Sequence, residues 1–535
     1  MTTVRDAAFR ALRQLGGTTL FANPGSTEIG LLTDLSEDFE FVLALHEGSV
    51  VGMATGYALA AGHPAVVILH TTAGLGNAVG ALATARENGA PLVVVVGQQD
   101  RRHLASNPFL SGHGLDRLAG DYPVWTMQPT LPRDVPGAIA RAWWEADQGR
   151  GPALVIVPMD DWDVEMDDDP IRLVTPQLLR ATEVPAAAVA ELAKLLAEAE
   201  SPVVVAGAGN NDRRGWEALR TLVERLDCPV WQEAFGAQAG FAQDHPQFAG
   251  HLPAGRAALR TALASHDFVL AVGAPVFRQY PYEPGALLNP GVGVAVVTRE
   301  LAEAALSPVD LAIVAEPATV CLDIVDLLPE RPARTSAEPT PAVAPPVDVR
   351  PAGRLDPEDV FTALAARLDP DTILVEESPS SRSRLQNLVP AREPLGFLSA
   401  AMGGLGFGLP AAIGARMARP DRPVVAVLGD GSSIYAIQAL WSAAQYRVGV
   451  LIVVLANGRY AIMDQLARSY GNETGQPGRA PWPAFPQIDL AEVAEGFGCP
   501  ARTVNTPGEL AEVLDDIVPA LRSGQAPMLL NVAVS

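Results

Sequence analysis

An apolar, β-branched run, Val424-Val-Ala-Val-Leu428, breaks at Gly429-Asp430-Gly431-Ser432, and a second, Val448-Gly-Val-Leu-Ile-Val-Val-Leu455, breaks at Ala456-Asn457-Gly458. The stretch from Ile434 to Tyr446 between them has helical spacing. Strand–helix–strand with parallel strands puts Asp430 and Asn457 on one carboxyl edge of a sheet. There they flank a helix N-terminus, whose N–H groups and dipole favour an anion. A carboxylate and an amide oxygen beside a phosphate-ready turn suit Mg²⁺, which takes few protein ligands and completes its shell with phosphate oxygens and water. Gly-Asp-Gly turns are common at strand ends, so the paired Asn457 is what points to a metal–diphosphate site.

Three further groups with chemistry to offer stand at strand ends near the N-terminus. Glu47 follows the apolar run Phe41-Val-Leu-Ala-Leu45, Ser26 follows a run ending at Phe21, and His70 follows Ala65-Val-Val-Ile-Leu69. Neighbouring strands would bring all three to one pocket. Taken singly, a Glu in such a place reads as an exposed or capping residue and a lone His as structural. His103 and His113 read as surface residues.

The elements that must position these groups repeat along the chain. Candidate strands Thr18–Phe21, Phe41–Leu45, Ala65–Leu69, Leu92–Val96 and Ala153–Val157 alternate with helical stretches such as Val50–Ala61 and Gly76–Glu87, the pattern of a parallel α/β sheet. Gly- and Asn-rich turns at Asn23–Ser26 and Thr72–Asn77 follow strands, where ligands bind in such sheets. An acidic stretch, Asp160–Asp163 and Asp167–Asp169, reads as a solvated boundary. A second α/β region, about 183–328, has strands near Val203–Val205, Val230–Gln232, Phe268–Val272 and Val292–Val297. Its Ala206-Gly-Ala-Gly209 turn weakly resembles a dinucleotide loop, without the third glycine or an acidic end to the next strand. A Pro-rich linker, 329–356, leads to a third α/β region, 357–535, which carries Asp430. The expected fold is therefore α/β, with three doubly wound parallel-sheet domains at 1–180, 183–328 and 357–535.

Composition narrows the class. A chain of 535 residues exceeds one ordinary domain several times over, and 48 % apolar residues supply large cores. Asp plus Glu number 61 against 38 Lys plus Arg, a net charge of −23, which argues against nucleic acid or an anionic membrane as partner. Cys228, Cys321 and Cys499 are too scattered for a disulfide framework or zinc site. The N-terminus has no signal-peptide core, and no apolar run reaches the ~20 residues that span a bilayer. A soluble cytoplasmic protein is expected.

Taken together, the three α/β regions, the linker and the Gly-Asp-Gly…Asn motif resemble the thiamine-diphosphate-dependent 2-oxo-acid enzymes over essentially the whole chain. The resemblance is closest to the benzoylformate decarboxylases, through Asn23-Pro-Gly-Ser26, His46-Glu-Gly48, His70-Thr-Thr-Ala-Gly-Leu-Gly-Asn77, Gly97-Gln-Gln99, Pro158–Asp163, Ala274-Pro-Val-Phe-Arg278 and Gly403-Gly-Leu-Gly-Phe-Gly-Leu-Pro410. It implies thiamine diphosphate with Mg²⁺ (or Ca²⁺) as cofactors. Asp430, Asn457 and the carbonyl of Arg459 would hold the metal, and Gly429, Gly431, Ser432 and Tyr460 would lie along the cofactor. Glu47 would hydrogen-bond its aminopyrimidine ring, with Asn23, Pro24, Gly25 and Asn77 nearby. The Gly403 carbonyl would accept from the ring's amine, and Leu405 would hold the cofactor bent. Ser26 would bind the substrate carboxylate and His70 the carbonyl, with Phe109, Leu110, Ser399 and Ile462 about the substrate side chain. The family also implies a homodimer at least, commonly a homotetramer, because the cofactor spans two subunits.

The departures bear on specificity. Tyr280 falls where these decarboxylases carry a second catalytic histidine; a phenol titrates near 10, an imidazole near 6.5. Ser399 replaces a pocket aromatic, Ile462 a small residue, and Ala456 the first of two Asn. The expected reaction is non-oxidative decarboxylation of an aromatic or bulky apolar 2-oxo acid to an aldehyde. The alternatives are a carboligase, like acetolactate synthases or aldehyde lyases, and a non-catalytic cofactor-binding paralogue.

Overall fold

The computed structural model describes residues 2–166, 175, 177–178, 184–329, 355–469 and 481–535. Three six-stranded sheets are built from strands that pair in parallel. The first contains β1 (Thr19–Asn23), β2 (Glu40–Leu43), β3 (Ala65–Leu69), β4 (Leu92–Gln98), β5 (Trp125–Met127) and β6 (Pro152–Pro158), in the order β2-β1-β3-β4-β6-β5. The second contains β7 (Pro202–Ala206), β8 (Val230–Gln232), β9 (Phe248–His251), β10 (Phe268–Val272), β11 (Gly293–Thr298) and β12 (Leu311–Val314), in the order β12-β11-β10-β7-β8-β9. The third contains β13 (Ile373–Glu377), β14 (Phe397–Ser399), β15 (Val424–Gly429), β16 (Leu451–Ala456), β17 (Ala501–Val504) and β18 (Met528–Ala533), in the order β14-β13-β15-β16-β18-β17. The α/β class with three doubly wound sheets is as expected. The first and third sheets share one topology, and the middle sheet has the dinucleotide-fold order.

Order reversal creates a crevice at the carboxyl edge of each sheet: between β1 and β3, between β7 and β10, and between β13 and β15. The central strands are buried on both faces, as the apolar runs β3, β4, β6, β15 and β16 require. In the first two sheets, β5, β9 and β12 escaped the sequence reading. They are only three or four residues long, and most of their residues are half-buried, so they show neither a continuous apolar run nor clean alternation.

The first and third domains are welded through the helices Glu47–Ala61 and Gly408–Ala418. One buried cluster runs from Phe21 and Val94 through Met53, Leu409 and Ile413 to Val454 and Leu529. The helices cross with backbone nearly touching backbone: a Cβ on Gly56 would lie 2.0 Å from the Ala411 carbonyl oxygen, and one on Gly414 1.9 Å from that of Met53. Polar bonds reinforce the junction. Leu43 N–H donates to the Tyr446 hydroxyl (2.7 Å), Ser442 Oγ to the Leu43 carbonyl (2.9 Å) and Asn88 Nδ2 to the Ser399 carbonyl (3.0 Å). The middle sheet keeps its own cores around Val204, Leu219, Leu270 and Ile324 on one face and Val205, Leu259 and Val269 on the other.

Several local expectations need correction. Residues 72–77 are not a turn but the opening of the helix Thr71–Glu87. The single helix expected over 434–446 is two, Asp430–Ile434 and Ala439–Gln445, because i→i−3 bonds such as Ala436 N–H to Ser433 O tighten the chain between them. The acidic boundary is not solvated at Asp161. That side chain is fully buried and takes two bonds from the Arg101 guanidinium, at 2.6 and 2.7 Å. The second part of the acidic stretch, 167–169, and almost all of the linker lie outside the described residues.

The dinucleotide-like loop is closed from within. Glu233, the residue after β8, stands where an acidic residue was expected to be missing. Its Oε1 accepts from Ala208 N–H at 3.2 Å, and a Cβ on Gly207 would lie 2.5 Å from the Gly273 carbonyl and 2.7 Å from that oxygen. Burial pushes the Glu233 carboxyl up to about 7, opposed by the Arg278 guanidinium. A folded-state value above the unfolded one gives stability that is complete below about 4.5 and is lost as pH rises through about 7. Glu233→Gln should therefore flatten the decline in urea-unfolding free energy between pH 5 and 8, by up to about 3 kcal/mol. An unchanged slope would show that the carboxyl is ionised in the fold.

Candidate active site

At the crevice of the first sheet, the sequence folds so as to present a carboxyl group on a helix start. Glu47 is not at a strand end, as expected, but is the first residue of the helix Glu47–Ala61, where Gly48 N–H donates to the capping His46 imidazole. The Glu47 carboxyl is buried and held from both sides: Asn23 Nδ2, at the end of β1, donates to Oε1 (3.2 Å), and Asn77 Nδ2 to Oε2 (3.0 Å). Pro24 and Gly25 then turn the chain into a short 3-10 segment, Ser26–Glu28. Ser26 is exposed. His70 caps the helix Thr71–Glu87, and its ring lies flat on Gly25, where a Cβ would come within 2.4 Å of Cγ. Glu47, Asn23, Asn77, Ser26 and His70 therefore gather along the β1–β3 edge.

Sequence reasoning missed Glu28. It is 2 % exposed, and its Oε2 accepts from Gly25 N–H at 2.7 Å and lies 3.1 Å from His70 Nδ1. Thr27 Oγ1 lies 2.9 Å from the same nitrogen. Gly97, near the end of β4, makes room for Glu28: a Cβ there would sit 1.7 Å from its Oε1.

The crevice of the third sheet is built around Asp430. It follows β15 and starts the next helix, is 6 % exposed, and accepts from Gly431 N–H (2.7 Å) and Gly458 N–H (2.6 Å). Burial pushes its carboxyl up, against these backbone bonds. Gly458 has φ +70°, the left-handed turn that brings Asn457 and Arg459 over the strand end; Asn457 Oδ1 accepts from Arg459 N–H at 3.0 Å. Gly431 has no room for a side chain, since a Cβ would lie 2.9 Å from the Tyr460 ring, which packs edge-on against Phe485. One carboxylate with the amide and carbonyl oxygens of Asn457 and Arg459 is a donor set that fits a hard divalent cation sharing phosphate oxygens. No group of three His, Cys, Asp or Glu able to hold a metal by itself occurs among the described residues.

Beside it, Gly403 (φ +71°) and Gly406 (φ +92°) bend the 403–408 loop, and Leu405 is 37 % exposed at its tip. Glu377, at the end of β13, clamps the loop by accepting from Gly406 N–H (2.5 Å) and Gly408 N–H (2.7 Å). Burial pushes its carboxyl up to about 8.

The residues read as lining the substrate pocket lie on separate elements. Phe109 is 86 % exposed, Leu110 takes φ +65°, and Ile462 is half-buried on the helix Ala461–Ser469. Ser399 is buried, with its hydroxyl on Glu376 Oε2 at 2.9 Å. Tyr280 is 58 % exposed in the middle domain, and the nearby Arg278 pairs with Glu87 of the first domain at 3.8 Å.

Comparison with known proteins agrees with this fold. Models of the thiamine pyrophosphate enzyme N-terminal TPP binding, central and C-terminal TPP binding domains match residues 2–118, 189–324 and 380–532. The chain is 38 % identical over 535 residues to the benzoylformate decarboxylase of Pseudomonas aeruginosa, covering 99 % of each. It is similar to the structure of a thiamine diphosphate-dependent 4-hydroxybenzoylformate decarboxylase from Rhodococcus jostii RHA1 (35 % identical, TM-score 0.91, 100 % and 99 % of the two chains covered). A putative acetolactate synthase large subunit of Mycobacterium tuberculosis is 29 % identical, with 99 % of this chain and 98 % of that protein covered. The chain belongs to the thiamine pyrophosphate enzyme family. It is a thiamine-diphosphate-dependent enzyme of the decarboxylase kind expected from its sequence. No helix among the described residues is long and apolar enough to cross a membrane.

Proposed function

We propose that the chain decarboxylates a benzoylformate-like 2-oxo acid, with an aromatic or bulky apolar side chain, to an aldehyde and CO₂. The observation that carries this is Glu47, buried between two amide donors with Ser26 and His70 on the same sheet edge. Thiamine diphosphate, when bound, supplies the electron sink for loss of CO₂. The chain's residues do the rest. Asp430, Asn457 and the Arg459 carbonyl would hold Mg²⁺ (or Ca²⁺), and Gly429, Gly431, Ser432 and Tyr460 would lie along the diphosphate. Gly403 and Leu405, on the loop that Glu377 clamps at Gly406 and Gly408, would orient the cofactor. Glu47, steadied by Asn23 and Asn77, would hold a proton for its pyrimidine ring.

Ser26 Oγ binds the substrate carboxylate, and His70 holds and moves a proton at the substrate carbonyl oxygen. Tyr280 stands in for a second proton donor. Phe109, Leu110 and Ile462 flank the side chain, and Ser399 shapes the wall behind them. Apolar groups left exposed near these edges, Phe109, Met402, Leu405 and Tyr435 among them, support assembly as at least a homodimer, and we extend this to a homotetramer in the cytoplasm. Carboligation is the second reading, favoured by the acetolactate synthase likeness.

A panel of 2-oxo acids including benzoylformate and 4-hydroxybenzoylformate, with and without added acetaldehyde, tests both readings. Aldehyde and CO₂ in equal amounts are expected. Hydroxyketone as the main product would favour the ligase, and no CO₂ from any member would end the decarboxylase reading.

A further inference from the structure

We propose that Glu28 is a positioning residue for His70, fixing its imidazole with the proton on Nδ1 so that Nε2 faces the substrate; this rests on His70 being the proton-moving residue of the proposed reaction. The hydrogen-bond network sets the tautomer. A buried carboxylate only accepts, and Glu28 Oε2 lies 3.1 Å from His70 Nδ1. Thr27 Oγ1 is 2.9 Å from the same nitrogen, and its own proton goes to Glu28 Oε1, so this hydroxyl too is left to accept. Both neighbours of Nδ1 thus call for an N–H there, which leaves the lone pair of a neutral ring on Nε2.

The backbone around the pair is shaped to admit it. Gly97 at the end of β4 leaves the space that Glu28 and Thr27 fill: a Cβ would be 1.7 Å from Glu28 Oε1 and 2.4 Å from Thr27 Oγ1. Gly25 does the same beneath the ring and also donates its N–H to Glu28. Thr71, directly after His70, has φ +40°, a left-handed conformation in which a β-branched residue is strained, and such strain concentrates at functional sites. A carboxylate whose only task was to cap the 26–28 turn would need neither glycine nor contact with an imidazole.

The consequence is a division of labour. When His70 Nε2 takes a proton, the ring becomes cationic with N–H at both nitrogens, and the adjacent Glu28 carboxylate balances the charge without receiving the proton. When Nε2 gives the proton up, the ring returns to the same tautomer. Without the carboxylate, either nitrogen can keep the proton, and part of the population presents Nε2–H where a lone pair is needed.

The test is Glu28→Gln in the full-length holoenzyme labelled with ¹⁵N at histidine, the His70 signals being assigned by their loss in His70→Gln. The wild type is expected to show neutral His70 protonated at Nδ1, and Glu28→Gln a mixture. The variant's kcat should fall at least about tenfold, as when an orienting carboxylate behind a catalytic histidine is neutralised. KM for benzoylformate and the dissociation constant for thiamine diphosphate should change less than twofold. A fall in kcat with the His70 tautomer unaltered would overturn the proposal, as would wild-type His70 protonated at Nε2. Should Glu28→Gln not fold, the nearly isosteric Thr27→Val, which frees the same carboxylate, is expected to shift the tautomer less but in the same direction. If His70→Gln itself turns over normally while the tautomer result stands, the proposed reaction role fails and the positioning contact does not.

Discussion

Glu47→Gln is expected to lower turnover of 2-oxo acid by about 10²–10⁴-fold, the range for loss of a general acid–base group, in a protein that stays folded. The structure explains why so conservative a change matters. Both Glu47 oxygens are taken by amide N–H donors, from Asn23 and Asn77. A glutamine presents one oxygen and one NH₂, so one of the two Asn amides must turn over to offer its own oxygen, and the carboxyl proton that the proposed mechanism requires is gone. CO₂ release measured at saturating thiamine diphosphate separates this chemistry from weakened cofactor binding. Wild-type turnover in the variant would remove Glu47 from the mechanism.

Gly56→Val should be the most damaging substitution remote from the active site. Its Cβ would fall 2.0 Å from a backbone carbonyl carbon's oxygen at Ala411, so no side-chain rotation can relieve the clash. The helices Glu47–Ala61 and Gly408–Ala418 would have to separate, opening the core shared by the first and third domains. Overpacking alone costs about 1–3 kcal/mol, and parting the helices adds lost burial. The expected result is an insoluble product or a fall of well over about 3 kcal/mol in urea-unfolding free energy. Gly508→Ala is the control. A Cβ there meets nothing within 4 Å near the start of the helix Pro507–Ile517, and the change should be neutral or stabilising by up to about 1 kcal/mol. If the two variants unfold alike, close helix contact is not what joins the domains.

The sequence exposed much of this molecule because parallel strands buried on both faces read as uninterrupted apolar runs, and their abrupt ends mark the edge where ligands sit. Asp430 and Asn457 could be placed for that reason. Glu47 was found but set on the wrong element, since nothing in Leu45-His-Glu-Gly48 separates a strand end from a helix start except the capping imidazole of His46. Glu28 and Glu233 were illegible. Each looks like an ordinary surface acid until the glycines around it, Gly97 for one and Gly207 for the other, are seen to make room for its carboxyl. Those clearances join residues far apart in the chain, and no local pattern encodes them. The bond from the Ser399 hydroxyl to Glu376 was equally out of reach, because it links two strands by a contact that no local pattern announces.

The glycine crossing also bears on how the chain is made. The helix Glu47–Ala61 is buried along most of its length, yet its partner begins at Gly408, about 350 residues later. At a synthesis rate of about 5–20 residues per second, the first domain waits roughly 20–70 s with this face uncovered. Its β-sheet can form in that interval, but the helix that carries Glu47 cannot reach its final packing until the third domain emerges. Assembly of the cofactor site is thereby deferred to the end of translation, and the nascent first domain is a natural client for chaperones that shield apolar helices.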